Sequence, residues 1–168
     1  MDEVMNEDEV IDHVCSLPHV VAWRPGAGDD APPIAWGDSF FYYSPDGLLP
    51  STGQPFATIT TKDYPDEPTC GLERPGAFRV NIHVGAHAYE EQCGHHPRRA
   101  PAPEDLAVLD YRESDVLLPH PAYARLGWLC VSNPAQRSAS AVRGLVVIAH
   151  RLAAERHQRR NEKSSAAG

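Results

Sequence analysis

Residues Arg74-Pro-Gly-Ala-Phe-Arg-Val-Asn-Ile-His-Val-Gly85 constrain the fold more than any other stretch. From Phe78 onward, apolar Phe78, Val80, Ile82 and Val84 alternate with polar Arg79, Asn81 and His83. A period of two means a β-strand that buries one face and keeps the other for different use. Pro75-Gly76 signals a turn before it, and Gly85 closes it. A guanidinium, an amide and an imidazole therefore line one face, spaced roughly 7 Å apart along the strand. Such a row is either a solvated sheet face with cross-strand hydrogen bonds or a binding surface.

Around this strand the chain alternates between short periodic segments and turns. Asp8 to Leu17 sets Val10, Ile11, Val14 and Leu17 at helical spacing, with acids in the first turn, and Pro18 ends it. Strands are expected at Val20–Trp23, Pro33–Tyr43, Phe56–Lys62 and Gly127–Ser132, with an edge or irregular segment at Val116–Pro121. In the aromatic-rich second strand neither side is cleanly polar, so its core face stays unassigned. Ala86 to Cys93, closed by Gly94, predicts a short helix. The proline-rich His95–Asp105 reads as a mobile loop, and Ser138 onward as an amphipathic helix. The order predicts an α+β fold, an antiparallel sheet with helices packed on one face. One domain is expected over 1–160, with a disordered tail over 161–168.

Composition narrows the function classes. The formal net charge is -8, which argues against a general nucleic-acid partner, since phosphate contacts need a positive face. The charge is polarised: Asp2, Glu3, Glu7, Asp8, Glu9 and Asp12 open the chain, while Arg151, Arg156, Arg159, Arg160 and Lys163 end it. No apolar run is long enough to cross a membrane, and the opening lacks a signal-peptide pattern. A cytoplasmic location follows as an expectation. Cys15, Cys70, Cys93 and Cys130 are scattered with no C-x-x-C pair, which predicts free thiols. Arginine far exceeds lysine, a bias that suggests a high-GC bacterial source.

Motifs for dedicated chemistry are few. No G-x-S-x-G, P-loop or G-x-G-x-x-G occurs, and no cysteine stands in a nucleophile signature, so no cofactor is expected. His83 and His87 are four apart, but Gly85 breaks the single helix a zinc pair needs, and no metal site is expected. An acid–base site is the better candidate: His83 titrates near neutrality, and Arg79 on the same face can hold a carboxylate or enolate. Asn81, Thr60, Lys62, Asp38 and Tyr64 are the candidate ligand-binding residues beside that pair. Taken singly, each has a plainer role, Asp38 as a hydrogen-bond anchor and Lys62-Asp63 as an ion pair; convergence in space decides between them.

PIAWGDSFFYY, PFATITTKDYP, RPGAFRVNIHVG and LLPHPAYARLGWLCVSNP together resemble the DUF6194 family, from the first helix to the last. That family resembles the YjbR (MmcQ-like) proteins in fold. The resemblance implies a two-layer α+β domain and, by analogy of shape, a DNA-associated role; it brings no catalytic residues. Three readings follow. One is a small-molecule site with cofactor-free acid–base chemistry of isomerase, cyclase or lyase type. The others are a non-catalytic interaction or DNA-associated regulatory module, and a homodimer joined through the polar sheet face.

Overall fold

The computed structural model describes residues 4–167, so Asp2, Glu3 and the last residue of the expected tail lie outside the described residues. Helix α1 (Glu7–Cys15) starts at a capping box, in which Asn6 accepts from the Glu9 N–H and Glu9 accepts from the Asn6 N–H. Strands β1 (Val20–Trp23), β2 (Ser39–Tyr43), β3 (Ala57–Thr60) and β4 (Arg79–His83) follow. After them come helices α2 (Gly85–Cys93) and α3 (Pro103–Leu106), strands β5 (Leu118–Pro119) and β6 (Trp128–Ser132), and helix α4 (Ala139–Ala166). The six strands form one sheet in the order β1-β2-β3-β4-β6-β5, every neighbouring pair antiparallel. This is the α+β architecture that the strand and helix periodicities predict.

Period-two alternation divides the sheet cleanly. Phe41, Ala57, Ile82 and Leu129 form one cross-strand row, and Ile59, Val80 and Val131 the next. Both rows are buried against Val10 and Val14 of α1, Tyr89 of α2, and Val142, Leu145, Val146 and Ala149 of α4. Burying a side chain the size of Phe41 or Ile82 contributes about 1.5–3 kcal/mol, which is why this face wins the helices. Phe41 thereby settles the core face of the aromatic strand, leaving Phe40 and Tyr42 on the other.

That other face is not open to water as a two-layer fold suggests. Cys70, Leu72, Tyr111 and Cys130 make a second small core there, with Ala77 and Leu118 against it. The Asp63 carboxylate ties the covering loop down by accepting from the N–H groups of Cys70 and Leu72, and the Tyr111 hydroxyl donates to the Pro119 carbonyl at 2.7 Å.

Several expected boundaries move. Pro33–Ala35 forms a 3-10 turn, so β2 begins only at Ser39. The expected mobile loop over 95–105 contains a 3-10 turn at Pro97–Arg99 and the start of α3, each opened by a proline whose missing N–H has no partner to lose. The expected disordered tail is helical through Ala166, because α4 simply continues beyond its packed portion as an exposed helix. Asp115 fastens the turn that leads into α4: its carboxylate accepts from the N–H groups of Ala135, Arg137 and Ser138. Burial works against the charge, but these donors and the Ser138 hydroxyl outweigh it and hold the carboxyl at about 2.

Candidate functional site

The β4 register builds the floor of the site. Thr58 stands opposite Asn81, Thr60 opposite Arg79, and Trp128 opposite His83. Over this floor lies a cavity of about 740 Å³, walled by Phe40 and Tyr42 from β2, Tyr64 and Glu67 from the covering loop, and His120 and Tyr123 beyond β5. Thr58, Thr60, Arg79, Asn81, His83 and Trp128 all line it. Its size and its aromatic walls around a few polar groups suit a small ligand.

Arg79 and Asn81 are buried rather than solvated, each no more than 3% exposed. The Arg79 guanidinium donates through Nη2 to Glu67 Oε2 at 2.7 Å and through Nη1 to Cys70 Sγ at 3.3 Å. Its expected role as an anion clamp is therefore largely pre-empted, since the charge is neutralised by Glu67 within the fold. Nε is left without a partner. Asn81 Nδ2 donates to Thr58 Oγ1 at 3.0 Å, and Asn81 Oδ1 is likewise buried without a partner. Buried polar atoms are nearly always satisfied, so two orphans on one strand face demand an explanation.

His83 is placed by two glycines. The N–H groups of Val84 and Gly85 both donate to the Gly127 carbonyl, and a Cβ on Gly127 would come 3.1 Å from the Gly85 carbonyl carbon. Both glycines have positive φ, the region that disfavours side chains. This close approach brings His83 Nε2 within 2.8 Å of the Leu126 carbonyl, to which it donates. Nδ1 is then the unprotonated nitrogen. Burial, and after it the nearby Arg156 charge, lowers the His83 pKa against the opposing pull of the Leu126 carbonyl, so the ring is neutral at pH 7.

His120 is the site residue that the sequence reading missed. Its Nδ1 accepts from the N–H groups of Ala122 and Tyr123, each at 3.1 Å, which leaves Nε2 as the protonated donor. The ring is 2% exposed, stacks on Tyr123 and meets Trp128 edge-on. Burial above all, then the Arg79 charge, keeps it neutral. The flanking Pro119 and Pro121 read as breakers; that the turn they make aims a histidine inward is set by contacts with β6.

The remaining candidates divide. Thr60 lines the cavity, its hydroxyl 3.5 Å from the Arg79 carbonyl. Tyr64 lines it too, its hydroxyl donating to Asp38 Oδ2 at 2.6 Å. Asp38 is fully buried and does not line the cavity; it is the anchor of its plainer reading, also accepting from the Thr61 N–H and hydroxyl. Lys62 is drawn the same way, to the Trp36 carbonyl and to Asp38 at 3.4 Å, so it does not join the cavity either. Asp63 pairs with backbone, not with Lys62. Among the described residues, no group of three or more His, Cys, Asp or Glu side chains is placed to hold a metal ion.

The model of DUF6194, a family of unknown function, matches residues 5–162. No curated protein and no solved structure matches the chain.

Proposed function

The chain belongs to the DUF6194 family, and from its site we propose that it binds a small planar polar molecule in the cavity over β4. The observation that carries this reading is the pair of unpartnered atoms in the floor, the Arg79 Nε–H donor and the Asn81 Oδ1 acceptor. Their residues are two apart on one strand, with Cα positions roughly 7 Å apart. A flat ring or amide with an acceptor at one edge and a donor at the other satisfies both, with Phe40, Tyr42 and Trp128 against its faces. Charge supports an uncharged group within this cavity: Glu67 balances Arg79, and both histidines are uncharged.

Cofactor-free acid–base catalysis of isomerase, cyclase or lyase type is the chemical form of the proposal. His83 Nδ1 is the base, and His120 Nε2–H is the donor toward developing negative charge on the opposite side of Trp128. A cytoplasmic, bacterial setting belongs to the same proposal; four free cysteines and the arginine-rich composition support it. No helix among the described residues is long and apolar enough to cross a membrane. The DNA-associated reading has less support, because the net charge is -8 and the basic end of α4 is interrupted by Glu155 and Glu162. The homodimer reading has less support, since loops of the same chain lie over part of the polar face.

A fragment screen by NMR on the wild type and on Asn81→Val tests the reading. Hits are expected to shift the Asn81 side-chain amide and to lose affinity in the variant. Hits that bind both proteins alike, or cluster away from β4, would overturn it. Turnover of any such compound should then disappear in His83→Ala; unchanged turnover would remove the catalytic role.

A further inference from the structure

We infer that an oxyanion subsite adjoins the cavity, so that the ligand is an organic phosphate or carboxylate lying past His83 with its charged end between Arg156 and Arg160. This deepens the reading above and rests on it. A second cleft of about 870 Å³ opens between α4 and the segment that joins β2 to β3. Tyr42, Gly53, Gln54 and His83 line both spaces, so the two are contiguous and His83 stands at their junction.

Two cations of α4 face this cleft. Arg156 and Arg160 are one helical turn apart and both line it. Neither has an ion-pair partner among the described residues, whereas Arg151 on the same helix faces Glu155 and Gln158 bonds Glu162. Like charges at this spacing destabilise a helix. Arg156 is also half-buried, and burial, then Arg160 and Arg159, work against its charge more than the neighbouring Glu155 supports it. The helix dipole does not explain the arrangement, because its effect is confined to the last turn and α4 runs on to Ala166. Asp46, the one carboxylate lining the cleft, is occupied by the Ser44 hydroxyl and the Leu48 N–H. Gly53, whose positive φ disfavours a side chain, carries the loop past Arg160.

Two guanidinium forks without a carboxylate match the oxygens of a phosphate or carboxylate, and a bound anion relieves their repulsion. The neutral cavity takes the planar head and the positive cleft the charged end.

The test is an NMR titration of the full chain with benzamide, benzoate, phenyl phosphate and inorganic phosphate. Benzoate or phenyl phosphate is expected to bind about tenfold more tightly than benzamide. It should shift the Asn81 amide and the Arg156 and Arg160 guanidinium signals together. The stronger of the two identifies the anion, and inorganic phosphate should shift only the arginines. In the Arg156→Gln/Arg160→Gln double variant, which changes only partly or fully exposed positions, the advantage over benzamide should vanish while the Asn81 response to benzamide remains. Anionic probes that bind no better than benzamide, or bind the variant as well as the wild type, would overturn the subsite and leave the cavity reading intact. Shifts at the arginines with none at Asn81 from any probe would support the subsite and overturn the cavity reading.

Discussion

His83 lies flat against Trp128, ring centroids 5.1 Å apart and planes 4° from parallel. The β4–β6 register sets the two residues directly opposite each other, and the Leu126 carbonyl fixes the imidazole edge. A base held this way cannot rotate freely, and its second nitrogen keeps a constant direction.

The His83 titration midpoint should fall below the ordinary 6.5, first through burial and then through Arg156. Following the ring protons by NMR against pH measures it. Arg156→Gln should raise the midpoint toward 6.5, because one of the two causes that disfavour the imidazolium is gone. A wild-type midpoint at or above 6.5 would contradict this placement of the ring.

The buried Arg79–Glu67 pair makes an asymmetric prediction. Glu67→Ala strands a buried guanidinium, and should destabilise the protein by about 3–5 kcal/mol in urea unfolding. Replacing both residues by Met should recover most of that loss, since an apolar pair needs no mutual compensation. Equal losses for the single and double replacements would show that the pair is not a unit.

Thr58 and Asn81 offer a contrast between stability and binding. Their one mutual hydrogen bond leaves Asn81 Oδ1 buried and unpaired. Replacing both by Val removes donor, acceptor and orphan together, so the melting temperature should hold or rise, while ligand binding is lost. A double variant that melts well below the wild type would mean that the orphaned oxygen is satisfied in solution without a ligand.

His120 should make the fold acid-sensitive. Its folded pKa lies well below the unfolded 6.5, so below that pH the unfolded chain binds more protons and stability falls as pH is lowered. Stability measured by urea unfolding from pH 7 to pH 5 should decline in the wild type. The decline should be shallower in His120→Asn, whose amide oxygen can still accept from the Ala122 and Tyr123 N–H groups. A slope unchanged by the substitution would mean that other groups govern acid unfolding.

The alternation of Phe78 to Val84, the helical spacing of Val142 to Ala149 and the turn residues between segments were enough to determine an antiparallel sheet with helices on one face. They also determined that Arg79, Asn81 and His83 share the other face, because side-chain direction in a strand is a local property with a fixed period. Whether that face meets water, a partner or a pocket depended on where the segments holding Glu67, Tyr111 and His120 return to the sheet. Those segments lack periodicity, so nothing local encodes their path; Asp63, Tyr111 and the β5–β6 pairing hold it through long-range hydrogen bonds. The same tertiary contacts turned Asp38 and Lys62 away from the cavity and brought His120 into it. Periodicity decides which way a side chain points; only packing between distant segments decides what it points at.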